Sequence, residues 1–129
     1  MESRLRRLIE LRPDNPQAYN ALGYAYADRS ERLPEAQQLI EKALALAPDD
    51  AAILDSMGWV LFRQGDLPGA LSYLERSYGK REDPEIAAHL GEVLWAMGRQ
   101  DDARRLLLDA QKKFPASAVL SETVRRLAP

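Results

Sequence analysis

A small residue recurs along this chain at a steady interval. Gly23, Gly58 and Gly91 are 35 and 33 residues apart, inside the apolar runs "ALGYAYA", "DSMGWVLF" and "HLGEVLW". Ala36, Ala70 and Ala103 keep the same beat, as do Pro13, Pro48 and Pro115, with Glu82 standing in one proline's place. Three series at one interval make a tandem repeat. A unit of this length cannot bury its apolar face alone, so neighbours must stack to close the core. The runs look helical, yet glycine inside a helix costs about 1 kcal/mol relative to alanine. That cost is offset if glycine on one helix and alanine on the next let two backbones approach closely. Gly58→Leu then overpacks the contact, at a cost of about 1–3 kcal/mol.

Helix-end signals agree with paired helices. Asn15-Pro16, Asp83-Pro84 and Asp66 ahead of Leu67-Pro68 supply an N-cap side chain and a first-turn proline, and Asp50 and Ser117 are further caps. Gly65, Gly79 and Gly98 stand where helices should stop. The pattern predicts first helices of each pair (A) near 16–28, 51–64 and 84–97, second helices (B) near 34–47, 67–78 and 100–114, and a last helix near 118–127. Residues 3–15 read as the final helix of a truncated unit, followed by repeats at 16–50, 51–83 and 84–117. Residues 118–129 read as a cap, with Val119, Leu120, Val124 and Leu127 towards the stack and Glu122, Arg125 and Arg126 outward.

The composition removes several chemistries. The chain has no cysteine, which excludes disulfides, thiol nucleophiles and thiolate metal sites, and its single histidine, His89, excludes a two-histidine metal site. Neither a Gly-rich phosphate loop nor a Gly-x-Ser-x-Gly elbow is present. The carboxylate pairs Asp49-Asp50 and Asp101-Asp102 flank helix starts, where capping accounts for them. The expectation is a protein that is not an enzyme and uses neither cofactor nor metal. The N-terminal "MESRLRRLIE" lacks the apolar core of a signal peptide, and no run approaches the roughly 20 apolar residues of a membrane span, so no direct membrane contact is expected from this segment.

The net charge of −2 hides an uneven distribution. Residues 13–98 carry seven basic and fourteen acidic side chains, whereas residues 1–12 and 99–129 are net basic. An acidic middle argues against a nucleic-acid partner. The basic pairs Arg104-Arg105, Lys112-Lys113 and Arg125-Arg126 read as a solvated outer face, without interleaved aromatics for base stacking.

Met57-Gly58, Leu61, Gly65, Ala70 and Leu74, with their counterparts in the flanking units, resemble the signature of the tetratricopeptide repeat (TPR) family over nearly the whole chain. The resemblance implies an all-α, right-handed α-solenoid of antiparallel helix pairs forming one domain over residues 1–129. In this family the A helices line an inner groove. Carried over, its residues are Gln17, Asn20, Tyr24 and Asp28, then Asp55, Trp59, Phe62 and Arg63, then Glu85, Glu92 and Trp95. Tyr24, Trp59, Phe62 and Trp95 would form an exposed aromatic strip, offering area at little entropic cost to a peptide or helix of a protein partner. The acidic neighbours favour lysine or arginine in that ligand.

Some family members grip a terminal carboxylate at positions matching Asn20, Tyr24, Ser56, Glu85 and His89. Glu85 would repel a carboxylate, which argues against such a clamp here, and His89 reads as a structural histidine. "ALGYAYADR", "DSMGWVLFRQGD" and "DPEIAAHLGEVLWAMGR" are similar to the C-terminal repeats of proteobacterial TPR outer-membrane lipoproteins that partner a carboxyl-terminal processing protease. That similarity implies an adaptor for a protease or its substrate, in the periplasm or at the outer membrane. The alternative is a structural segment that stacks or self-associates as a homo-oligomer through Leu5, Leu8 and Ile9.

Overall fold

The computed structural model describes residues 2–127. They form eight α-helices: α1 (Glu2–Leu11), α2 (Pro16–Asp28), α3 (Leu33–Leu46), α4 (Ala51–Arg63), α5 (Leu67–Lys80), α6 (Pro84–Ala96), α7 (Gln100–Lys113) and α8 (Ala118–Leu127). Each helix packs on its successor, and the alternate helices α2, α4, α6 and α8 also pack on one another in order. This is an α-solenoid whose A helices form one continuous layer.

The helix starts follow local chemistry. Asn15, Asp50, Asp66 and Asp83 each accept a hydrogen bond from a backbone N–H of the first turn, satisfying donors that have no partner within the helix. Gly65 and Gly98 end α4 and α6 with φ of +89° and +84°, a backbone region that strains any side chain bearing Cβ. Gly79 does not stop its helix. It lies inside α5, which continues to Lys80 and closes through the Arg81 N–H on the Ser77 carbonyl. The turn after α2 lacks a glycine, and Ser30 and Arg32 take positive φ instead.

The seam within each pair is close. A Cβ built on Gly58 would lie 2.5 Å from Leu74 Cγ and 3.2 Å from the Ala70 carbonyl oxygen, and Gly23 and Gly91 face Ile40 and Leu107 in the same way. Ala36, Ala70 and Ala103 are fully buried opposite them. Ser77 occupies the register of Ala43 and Ala110, where its hydroxyl donates to the Ala51 carbonyl at 2.7 Å.

The final helix covers the stack with Leu120 and Thr123 buried, and with Val124 and Leu127 packed half-buried beside them. Val119, expected inward, is 38% exposed; the inward face of α8 is centred on Leu120, Thr123, Val124 and Leu127, which leaves Val119 at its edge. Arg125, largely exposed, stands ten residues past Pro115, at the register glycine holds after Pro13 and Pro48. Residues 128 and 129 of the expected cap lie outside the described residues.

Candidate functional site

The A-helix layer carries a hollow of about 190 Å³, lined by Asn20, Ala21 and Tyr24 of α2, Ala52, Asp55 and Ser56 of α4, and Glu85 of α6. Four residues assigned to the groove from sequence therefore meet around one space. The register puts them there: adjacent turns of three stacked helices point to a common side.

His89 organises the floor beside this hollow. Its Nδ1 lies 2.9 Å from Asp55 Oδ1, and both residues are 8% exposed. A carboxylate only accepts, so Nδ1 carries the proton and donates. In the neutral ring Nε2 is then an acceptor, and the Tyr24 hydroxyl donates to it across a long 3.4 Å contact. The imidazole stacks on Trp59 with centroids 4.0 Å apart. Sequence reasoning treated His89 as structural and missed its contact with Asp55, because that pairing joins neighbouring repeats and has no local motif.

Tyr24 is half-buried, and its hydroxyl is held well above the ordinary tyrosine range. Burial is the main cause, reinforced by the negative charges of Asp28, Asp55 and Glu85 and opposed by Arg63. Three carboxylates thus act on one phenol, and the local field favours positive charge.

The expected exposed aromatic strip is not what forms. Trp59 is only 4% exposed. It is enclosed by the His89 ring, by Phe62 at 5.1 Å between centroids, and by the Arg63 guanidinium 4.7 Å from its ring centre. Phe62 is half-buried against the core. Trp95 is likewise half-buried and sits under Arg104 of α7, away from the hollow. Tyr24 is the aromatic residue that borders the hollow.

The remaining groove residues are tied by ion pairs and hydrogen bonds. Arg63 donates to the Asp28 carbonyl at 3.3 Å and lies 3.9 Å from its carboxylate. Glu92 accepts from Arg126 at 2.7 Å. Gln17 reaches Asp50 at 3.4 Å, at the edge of hydrogen-bonding range. Most members of the basic pairs of α7 and α8 are also engaged: Arg104 with Asp101, Arg105 with Asp102, Lys113 with Glu82 and Asp109, and Arg125 with Glu122. Among the described residues no group of three or more His, Asp or Glu side chains is placed to hold a metal ion. No described helix is long and apolar enough to cross a membrane.

Family models described as tetratricopeptide repeat match residues 14–83 and 61–124. The chain belongs to the tetratricopeptide repeat family. It is 54% identical over 127 residues to the TPR repeat-containing protein PA4667 of Pseudomonas aeruginosa, covering 98% of this chain and 22% of that one. It is 34% identical over 71 residues to the bacteriophage adsorption protein A of Escherichia coli, covering 55% of this chain and 7% of that one. The chain therefore spans less than a quarter of either relative. Among solved structures, the TPR protein TTC0263 of Thermus thermophilus superposes with a TM-score of 0.86 at 21% identity, over 98% of this chain and 70% of that one. MamA superposes at 0.73 and 18% identity, over 95% and 74%. An O-GlcNAc transferase of Thermobaculum terrenum matches at 0.78 and 24% identity over 87% of this chain but only 22% of its own. At these identities the three structures establish the TPR fold alone.

Proposed function

We propose that this TPR segment is a non-enzymatic protein-interaction module whose A-helix face receives a short segment of another protein across α2, α4 and α6. TPR repeats generally mediate protein–protein interaction. The observation that carries the reading for this chain is the hollow bordered by Tyr24, Asp55 and Glu85 from three successive A helices. Single-groove affinity is expected near micromolar, about −8 kcal/mol. The test is peptide-display selection against the wild-type chain, counter-selected on Tyr24→Ala. Selected peptides should move backbone amide signals of α2, α4 and α6. Enrichment that ignores Tyr24, or signals confined to the B helices, would remove the groove from consideration.

The finer reading, an adaptor for a carboxyl-terminal processing protease or its substrate at the outer membrane, rests on the resemblance of the three quoted stretches to lipoprotein repeats. Its test is direct binding of that protease class to this segment and to a longer chain containing it. A second reading is self-association through α1. Leu5 and Ile9, expected on the open face, are half-buried against the core, while Leu8 and Leu11 are 39% and 63% exposed. Sedimentation across concentration, with Leu8→Glu/Leu11→Glu as control, decides whether that face pairs copies of the chain.

A further inference from the structure

We propose that the hollow between α2, α4 and α6 is a subsite for a basic side chain, taking the ammonium of a lysine in the bound segment. The inference deepens the groove reading and rests on it. Its starting point is Asp55. The residue is buried, with its side chain 11% exposed, and its Oδ1 is held by His89. Among the described residues its other oxygen, Oδ2, makes no protein hydrogen bond, Asp55 forms part of the lining of the hollow, and Asn20 Oδ1 in the same lining is buried without a partner. A buried acceptor without a donor is costly, so the Asn20 oxygen beside the Asp55 carboxylate leaves the hollow short of donors.

The rest of the lining offers acceptors too. With His89 neutral and donating from Nδ1, Nε2 accepts from the Tyr24 hydroxyl, whose oxygen lone pairs stay free. Ser56 spends its proton on the Ala52 carbonyl at 3.1 Å. Glu85 contributes a carboxylate, and the lining contains no lysine or arginine. The nearby cation, Arg63, is engaged by Asp28 and by the face of Trp59. Acceptors supplied from three helices suit an ammonium, which carries three donors and a full charge. This chemistry is the reverse of a site for a terminal carboxylate.

The test uses the 129-residue chain and Nα-acetyl-lysine methylamide, followed by NMR. As the sole histidine, His89 gives an unambiguous reporter in its ring signals. They should shift together with the amides of residues 20, 55 and 85. The norleucine and Nε-acetyl-lysine analogues should bind at least about tenfold more weakly, as should the lysine probe to Asp55→Asn. Glu85→Gln should weaken it a few-fold. Ala52→Lys, which removes no buried partner, should fill the hollow from within and block the probe, and it decides the matter if Asp55→Asn fails to fold. Equal binding of the norleucine analogue, or an unchanged probe response in Ala52→Lys, overturns the subsite. Selected peptides that tolerate lysine-to-norleucine exchange would also sink it while leaving the groove standing. A lysine probe that binds at Asp55 when no peptide can be selected would instead retain the subsite and remove the peptide groove.

Discussion

At the seam between paired helices, Gly23, Gly58 and Gly91 meet Ile40, Leu74 and Leu107 in the same way three times over. One residue further on, the chain has Tyr24, Trp59 and Glu92, and each has different surroundings. Tyr24 borders an open hollow, Trp59 is enclosed by its neighbours, and Glu92 is tied to Arg126 of the last helix. The seam is a contact within one repeat and is copied with it. The A-helix face is made by pairs between repeats, such as Asp55 with His89, so changing one partner changes what the next repeat presents. Repetition therefore maintains the fold while leaving the A-helix face free to vary.

Trp59→Ala gives the largest test of this division. Were the A-helix face a veneer over the seam, the substitution would cost little stability. Its burial between His89, Phe62 and Arg63 instead predicts a loss of about 3–5 kcal/mol, measured by urea unfolding. A loss under about 1 kcal/mol would place Trp59 on the surface and restore the exposed aromatic strip. Tyr24, and not Trp59, is therefore the residue for separating binding from folding.

The seam predicts opposite outcomes at two glycines. Gly58→Leu should destabilise by about 3 kcal/mol, since even Cβ would meet Leu74 at 2.5 Å and the Ala70 carbonyl blocks retreat. Gly79→Ala should stabilise by about 0.5–1 kcal/mol, because Gly79 is helical and a Cβ there meets nothing within 4 Å. Thermal unfolding of the two variants side by side checks both signs. If both destabilise, close approach is not what distinguishes glycines on the beat.

These residues also mark how far the sequence could be read. Gly58 was legible because its role recurs in three repeats and depends on helix geometry alone. Gly79 reads as a stop and is not one: glycine permits a left-handed turn but does not impose one, and α5 retains its last helical turn. Asn20, Tyr24, Asp55 and Glu85 were brought to one face by register, which the repeat length supplies. The enclosure of Trp59 was not legible, since it depends on the rotamer of His89 across the layer and on how Arg63, one turn along α4, folds over the ring. His89 itself shows why: its neighbour Asp55 lies 34 residues away, one repeat back, and no local spacing announces the pair.

Tyr24→Phe predicts the smallest effect and tests whether the hollow's charge is felt locally. Near neutral pH it should cost only about 0.5 kcal/mol, because the hydrogen bond to His89 is long and Tyr24 is half-open to water. The sign at alkaline pH is more informative. Burial and the charges of Asp28, Asp55 and Glu85 raise the folded-state ionisation of this hydroxyl above that of the unfolded chain. Its contribution is fully present below the unfolded value, about 10, and is lost as pH rises through the folded one. Wild type should therefore lose stability faster than Tyr24→Phe above about pH 10, with Tyr26 and Tyr78, also raised, cancelling in the comparison. Parallel decline of the two proteins would mean that Tyr24 ionises as freely folded as unfolded. The acidic hollow would then exert no net hold on the one aromatic side chain that borders it, and the contrast with the uniform seam would rest on packing alone.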